Sequence, residues 1–229
     1  MTDPSLPDLT LAELRLALAP ALAQAAVFDG WGHAAMRTAA AAQGHDPDMA
    51  ELAFASSGMP LAMTLPMTMI SAWVARIDAD MALALPAELL AKLPVRERIR
   101  RLVQFRLDAV SGLDEALRRA LAIMVMPQNV PASLRLGWRS ADVMWRLAGD
   151  VSADYNHYTK RTILAGIYAA TLQVFAYDNS PNKAEARAFL DRRIAGVMQF
   201  EKTKARVLAR PDLMFSPARF LGRLRYPAG

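Results

Sequence analysis

Residues 158–177, YTKRTILAGIYAATLQVFAY, are the stretch that most clearly predicts a helical fold. Their apolar side chains recur three and four positions apart, the spacing of one face of an α-helix. The stripe is broad and comprises Ile163, Leu164, Ile167, Tyr168, Thr171, Val174 and Phe175. It has two interpretations. It is ordinary core, or, because it is wider than one intramolecular neighbour needs, it forms a two-fold four-helix interface between two copies of the chain.

The composition of the whole chain predicts an all-α protein. Alanine, leucine and methionine are abundant, whereas β-branched and aromatic residues are sparse, so helix is the favoured local structure nearly everywhere. The chain has 229 residues, of which 54% are hydrophobic and 21% charged. That is enough apolar material for one large core or two closely packed lobes.

Helix signals recur along the chain. Thr10 and Glu13 form a capping box that starts a first helix, in which Pro20 predicts a bend. A second helix is predicted over residues 33–43, and a third runs from the Asp46 cap to about Phe54. Further helices are predicted at residues 61–83, 95–110, 113–124, 131–148, 158–177 and 183–200.

One uncharged stretch, residues 52–75, is long enough in principle to span a bilayer. It contains Gly58, Pro60 and Pro66 as well as several hydroxyl side chains, so its middle looks like the start of a helix. A buried core helix is the preferred interpretation and a membrane span the alternative.

No pattern of residues predicts catalysis. The chain has no cysteine, and its three histidines, His33, His45 and His157, form no helical metal-binding pair. No glycine-rich phosphate loop follows a strand, and no nucleophile elbow occurs. We therefore predict a protein that is not an enzyme, with no metal and no catalytic residue.

Charge is segregated between the two ends of the chain. Residues 1–60 hold seven acids and two bases, a net charge of −5, whereas residues 182–229 hold eleven bases and four acids, a net charge of +7. The first three helices have the spacing of a TetR-type helix-turn-helix, but the third offers Asp48 and Glu51 where a DNA-reading helix needs basic groups. We therefore predict no nucleic-acid partner.

Several motifs resemble the lipid-binding protein family of coenzyme Q biosynthesis, the ninth of the coenzyme Q genes. The resemblance covers roughly residues 9–200 and is most specific over residues 138–197. The motifs are FDGW at 28–31, RIDADM at 76–81, WRLAGD at 145–150, YTKRTILAGIY at 158–168, DNSP at 178–181 and FLDRRI at 189–194. His157 departs from the family pattern, which usually has tryptophan before the Tyr-Thr pair.

The resemblance implies a TetR-repressor-like helical fold. It would comprise a degenerate helix-turn-helix region at 1–60, a helical lipid-binding and dimerisation domain at 61–200 and a basic amphipathic tail at 201–229. It further implies a homodimer that has no cofactor but holds a phospholipid or isoprenoid quinone. The chain would present that lipid to the di-iron demethoxyubiquinone hydroxylase, as a cytoplasmic protein peripheral on the inner membrane. A TetR-type transcriptional regulator with an apolar effector pocket is the alternative.

The resemblance implies two groups of site residues, one for the lipid and one for the hydroxylase. The lipid would contact large apolar side chains, although methionine at helical spacing is more often plain core. These are Met67, Trp73, Phe105, Met124, Trp138 and Met144. The hydroxylase would contact Tyr158, Lys160 and Arg161 together with Trp145 and Asp150. The last two have an alternative role in fixing a helix junction, and Asp150 has a further one as a helix cap.

The C-terminal tail has the pattern of a membrane-surface helix. Ser216-Pro217 would cap it, Phe220, Leu221 and Leu224 share one face, and Arg219 and Arg223 flank that face. The alternative is a tail that packs on its own domain or frays.

Overall fold

Every regular element in the parts of the chain that the structure describes is helical. The structure is a computed structural model that describes residues 9–55, 64–152 and 155–208, with side chains up to residue 197. The described helices are α1 (Leu11–Asp29), α2 (His33–Ala42), α3 (Pro47–Phe54), α4 (Leu65–Ala84), α5 (Ala87–Leu90), α6 (Val95–Ala109), α7 (Asp114–Met124), α8 (Val130–Leu147), α9 (Tyr155–Tyr177) and α10 (Ala184–Leu208). The predicted all-α class is confirmed.

The helix α1 is the central helix of the N-terminal part. It begins with the predicted capping box, in which Thr10 and Glu13 satisfy each other's backbone amides. Its leucines Leu14, Leu18 and Leu22 are buried, and the helix packs against α2, α3, α4 and α7. Among the helices described, α1 is the one long and apolar enough to cross a membrane. Here it serves as a core helix.

Pro20 lies inside α1, where it has no amide hydrogen to give to the carbonyl of Leu16. The guanidinium of Arg76, on α4, lies 3.5 Å from that carbonyl oxygen. The same side chain is held by Asp80 one turn further along α4. Because Pro20 leaves the Leu16 carbonyl without its helical partner, Arg76 of the neighbouring helix α4 contacts this carbonyl instead.

Two tryptophans join the N-terminal helices to the rest of the chain. Trp31 follows α1, and its indole nitrogen donates a hydrogen bond of 2.9 Å to the carbonyl of Ala116 on α7. Its ring lies 5.2 Å from the ring of Trp73 on α4. Arg119, also on α7, donates to the carbonyl oxygens of Ala26 and Phe28 at the end of α1. These contacts attach the first three helices to α4 and α7.

The helices α4, α6, α7, α8 and α9 form a bundle. α4 packs against α6, α7 and α8, and α9 packs against α6, α7 and α8. The described part of the uncharged stretch 52–75 includes the buried Met67, Ile70 and Trp73, as expected of a core helix.

The chain divides after Leu190, within α10, into units Met1–Leu190 and Asp191–Gly229. The predicted boundaries at residues 60 and 200 stay predictions. Three helix ends differ from those expected by more than two residues: α4 begins four residues later, at Leu65, α9 begins three residues earlier, and α10 extends to Leu208.

Candidate functional site

The junction between α8 and α9 brings the predicted partner-binding residues together. α8 ends in a left-handed turn at Gly149, whose φ is 86°, a conformation that glycine adopts without a steric penalty. The amide of Gly149 donates to the carbonyl of Arg146, and that of Asp150 to the carbonyl of Trp145. The turn thus directs the Asp150 side chain towards the first turns of α9.

Arg161 is the centre of this junction cluster, which we define as Asp142, Trp145, Asp150, Lys160 and Arg161. Its side chain is 2% exposed. Its Nε donates to Asp142 at 2.6 Å and its Nη1 to Asp150 at 2.9 Å. One buried guanidinium therefore bridges two carboxylates, one on α8 and one in the turn that follows.

Lys160 occupies the outer side of the same cluster. Its ammonium lies 2.7 Å from a carboxylate oxygen of Asp150 and 5.5 Å from the centroid of the Trp145 ring. The indole nitrogen of Trp145 donates to the backbone carbonyl of Lys160 at 3.0 Å. Trp145 and Asp150 thus fix the helix junction, which is one of the roles predicted for them.

The carboxylate of Asp150 is held in its charged form. Burial alone would raise its pKa, but hydrogen bonds from Lys160, Ser152 and Arg161 outweigh burial and lower the pKa to about 2. The pKa of Asp142 is also lowered, because the hydrogen bond from Arg161 and the charge of Arg146 exceed the effect of burial. The junction is therefore an ion-pair network in which both carboxylates stay ionised at neutral pH.

Aromatic side chains lie beside the junction cluster. The ring of Tyr158 is 5.9 Å from that of Trp138 and 5.1 Å from that of His157. Tyr158 is 60% exposed, and Tyr155 and Val151 are also exposed. His157, the departure from the family pattern, forms a 2.9 Å hydrogen bond between its Nδ1 and the Ser152 carbonyl. Of the predicted partner residues, Tyr158 and Lys160 are therefore accessible, and Arg161 lies beneath them.

The predicted lipid-binding residues are distributed over four helices. Met67, Trp73 and Met144 are buried, whereas Phe105, Met124 and Trp138 are partly exposed. Ser133 joins two of them, since its hydroxyl donates to the Met124 carbonyl at 2.8 Å and lies 4.0 Å from the Met67 sulfur. The pocket itself stays a prediction.

A second polar cluster, absent from the sequence-based prediction, lies in the core. Arg106 on α6 is fully buried and pairs with Asp78 on α4. It also donates to the hydroxyl of Ser140 on α8, at 3.1 Å, and its guanidinium carbon lies 4.8 Å from the Tyr168 ring centroid on α9. We name Asp78, Arg106, Ser140 and Tyr168 the core polar cluster. One signal was available: Arg106 falls on the apolar face of α6 that Ile99, Leu102 and Val103 define.

The end of α9 is held by a third set of contacts. Asp178 accepts hydrogen bonds from the amides of Ser180 and Ala186, each at 2.8 Å, and so caps the start of α10. Lys183 donates to the Asp178 carbonyl and pairs with Asp114 on α7. The DNSP motif thus has a local structural role.

Two further predictions concern metals and the tail. Within the described ranges, no group of three or more histidine or carboxylate side chains is placed to hold a metal ion. The predicted membrane residues Arg219, Phe220, Leu221, Arg223 and Leu224 lie outside the described residues.

The arrangement of these helices is that of a known fold. A TetR transcriptional regulator from Nitrosomonas europaea ATCC 19718 matches the structure with a TM-score of 0.59 and 22% sequence identity, over 80% of this chain and 96% of that one. At this identity, the likeness shows the fold alone. The predicted TetR-like all-α fold is confirmed.

The sequence of one segment matches a particular family. Residues 130–201, which include α8 and α9, match the model of the COQ9 family. The mitochondrial ubiquinone biosynthesis protein COQ9 of Rattus norvegicus is 42% identical over 109 residues, and that of Homo sapiens 38% identical over 109 residues. Each alignment covers 48% of this chain, which spans about a third (35% and 34%) of the length of these relatives. The predicted resemblance is confirmed for this segment, which is similar to the COQ9 family.

Proposed function

We propose that this protein is a non-enzymatic accessory protein of ubiquinone biosynthesis. It binds a polyprenylated quinone intermediate or a phospholipid and presents the quinone to the di-iron demethoxyubiquinone hydroxylase. The observation that carries the proposal is the COQ9 match over residues 130–201, because the relatives that share it are named ubiquinone biosynthesis proteins. The chemical step then belongs to the hydroxylase.

The core between α4 and α8 supports a lipid-binding role. Met67 and Met144 are fully buried on these two helices, which pack against each other. Methionine is unbranched and polarisable, so its side chain adapts when an apolar guest replaces a core contact. A flexible isoprenoid tail is a guest of this kind.

Lipid uptake tests the proposal directly. The full chain is incubated with phosphatidylcholine vesicles that contain ubiquinone, separated from them and examined by native mass spectrometry. We expect adducts with the mass of ubiquinone or phospholipid, and the same spectrum reports the number of subunits. A protein that stays free of lipid under these conditions contradicts the proposal.

The exposed aromatic side chains beside the junction cluster support a partner surface. Tyr158→Ala removes a ring that is 60% exposed, and Tyr177→Ala, a matched control at the other end of α9, removes one that is 61% exposed. We expect the first variant to weaken hydroxylase binding by about tenfold or more, as the loss of an interface anchor does, and the second to leave it unchanged. Equal hydroxylase binding by both variants would show that the hydroxylase does not bind at Tyr158.

The membrane location is part of the same proposal. We place the protein peripherally on the inner membrane, on its cytoplasmic side, with residues 213–229 as the lipid-contacting segment. The relatives are named mitochondrial proteins. Flotation with anionic liposomes should be lost when residues 213–229 are removed, because the tail carries both the basic and the apolar side chains.

A TetR-type regulator is the second candidate, because a solved structure with a similar fold is such a protein. The exposed side of α3 argues against it, since Asp48 and Glu51 are exposed and would repel phosphate. A regulator would bind duplex DNA with a steep dependence on salt concentration. We expect no such binding.

A further inference from the structure

The core polar cluster holds a charged side chain that is only partly satisfied. Arg106 has no exposed surface, and its two terminal nitrogens are directed to Asp78 and Ser140. An arginine presents five N–H donors. The donor next to the aliphatic part of the side chain, at Nε, is buried and has no hydrogen-bond partner in the part of the chain that the structure describes.

An unsatisfied donor in a protein core is destabilising, and a donor on a charged group is more so. Folded proteins therefore retain few of them without a reason. An acceptor supplied from outside the chain removes this penalty. Because the donor lies where α4, α6, α8 and α9 meet, the acceptor has to enter the middle of the helical bundle.

The surroundings of the cluster are apolar and adaptable. Met81 lies one turn after Asp78 on α4, Met144 one turn after Ser140 on α8, and Leu164 one turn before Tyr168 on α9. All three side chains are buried. A small polar cluster surrounded by apolar side chains is the usual composition of a site for an apolar ligand that has one polar end.

The charge of the cluster selects the kind of acceptor. The carboxyl of Asp78 faces Arg106, and burial raises the pKa of this carboxyl against the opposing attraction of the guanidinium. The pair as a whole carries no net charge, so a buried anion such as phosphate would meet no uncompensated positive charge. An uncharged oxygen needs no compensating charge and can accept the hydrogen bond from the Nε–H of Arg106.

We propose that Arg106 Nε–H donates a hydrogen bond to an uncharged carbonyl oxygen of a lipid bound among α4, α6, α8 and α9. Two sources share this chemistry, the ring carbonyl of a quinone and the ester carbonyl of a glycerolipid. The inference rests on the proposed lipid-binding function and adds to it the residue that recognises the polar end of the lipid.

The test compares lipids with and without a carbonyl. The full chain is incubated with vesicles of ether-linked phosphatidylcholine, which has no ester carbonyl, containing equal amounts of ubiquinone and squalene. Native mass spectrometry then gives the ratio of bound ubiquinone to bound squalene. We expect the unaltered protein to prefer ubiquinone by about tenfold or more, the usual effect of a hydrogen bond to a charged donor. A second arm compares ester-linked with ether-linked phosphatidylcholine in the absence of ubiquinone.

The variants separate recognition from folding. Asp78→Leu combined with Arg106→Met replaces the pair by apolar side chains and leaves no isolated charge. It should abolish the preference for carbonyl-bearing lipid and retain squalene uptake. The matched control, Asp114→Leu with Lys183→Met, removes another ion pair away from the cluster and should retain the preference. If the first variant does not fold, as judged by circular dichroism, Arg106→Lys keeps the charge without the Nε–H and should also reduce the preference.

The outcomes distinguish this inference from the function on which it rests. A ubiquinone preference in the unaltered protein that is lost in the Arg106 variants supports the assignment to the quinone carbonyl. A preference seen only in the ester arm assigns the donor to the glycerolipid. Lipid uptake with no carbonyl preference, or with a preference that survives the Arg106 substitutions, overturns the inference and leaves the proposed function intact. No uptake of any lipid overturns both.

Discussion

Lys160 and Arg161 are neighbours in the sequence but have different structural roles. Arg161 is 2% exposed and bridges two carboxylates, whereas the Lys160 side chain is 39% exposed and contacts one. Successive positions on a helix are about 100° apart, so one of the two side chains turns inward and the other outward. The sequence predicted both as surface residues of one partner site, because burial depends on where α8 lies against α9.

We expect Arg161→Ala to destabilise the protein by about 3–5 kcal/mol, because it leaves Asp142 and Asp150 without their buried partner. Lys160→Ala should cost less than about 1 kcal/mol, as is usual for a partly exposed ion pair. Urea denaturation followed by circular dichroism measures both changes. Similar losses in the two variants would show that the buried guanidinium does not hold the junction.

The pKa of Asp150 predicts a dependence of stability on pH. Its pKa is about 2 in the folded protein and near 3.9 for an ordinary aspartate in an unfolded chain. The folded state therefore binds the proton more weakly, and the resulting stabilisation is present above about pH 4 and is lost as the pH falls towards 2. Asp150→Asn should be less stable at pH 7, and its free energy of unfolding should fall less between pH 4 and 2. Equal slopes for the two proteins in an acid titration would contradict this.

At the scale of the elements, the turn after α8 depends on one glycine. Gly149 has a φ of 86°, and a Cβ added to it would lie 3.1 Å from Nη1 of Arg98. That nitrogen donates to the Ala148 carbonyl at 2.7 Å, so its position is already constrained. Gly112 has a φ of 79° and no atom within 4 Å of an added Cβ.

These two glycines form a matched pair for a substitution test. Gly112→Ala should cost about 1–2 kcal/mol, the usual penalty of the left-handed conformation. Gly149→Ala should cost more, because Arg98 has to move as well. Thermal unfolding of the two variants gives the comparison. A smaller loss at Gly149 than at Gly112 would show that Arg98 moves freely and does not secure the end of α8.

Most helix positions were predictable because caps and apolar spacing are local signals. The capping box at Thr10 and the Asp46 cap predicted the starts of α1 and α3. The four-residue helix α5 (Ala87–Leu90) was not predicted, since so short a segment shows no periodicity. The start of α9 at Tyr155 was missed because contacts with α8, such as the Trp138–Tyr158 ring pair, support its first turns.

At the scale of the whole molecule, the broad stripe on α9 faces the core of its own chain, because every member of it is buried or half-buried. Leu164, Tyr168 and Phe175 are buried within the chain, whereas Gly166 and its neighbours Ala169 and Ala170 are exposed. The exposed side has small residues that allow a second helix to approach closely. The homodimer stays a prediction, and we now expect its two-fold interface on this exposed side of α9 and not on the stripe itself.

A bulky substitution tests this interface. No atom lies within 4 Å of a Cβ added at Gly166 or at Gly137 on α8, so leucine fits at both positions in a single chain. Leucine is also the better helix former, and the fold should persist. We expect Gly166→Leu to shift the full chain from dimer to monomer in sedimentation equilibrium, and Gly137→Leu to leave it a dimer. A Gly166→Leu protein that remains dimeric would exclude α9 from the interface.

The sequence by itself determined the helical class, most helix positions and the resemblance to one family, because these depend on residue types and on spacing along the chain. The tertiary structure decided which charged residues are buried. Arg106 pairs with a carboxylate 28 positions away and Arg161 with one 19 positions away. The place of Arg106 on the apolar face of α6 indicated its burial, but neither partner could be identified from the sequence, because such pairings depend on how distant helices pack.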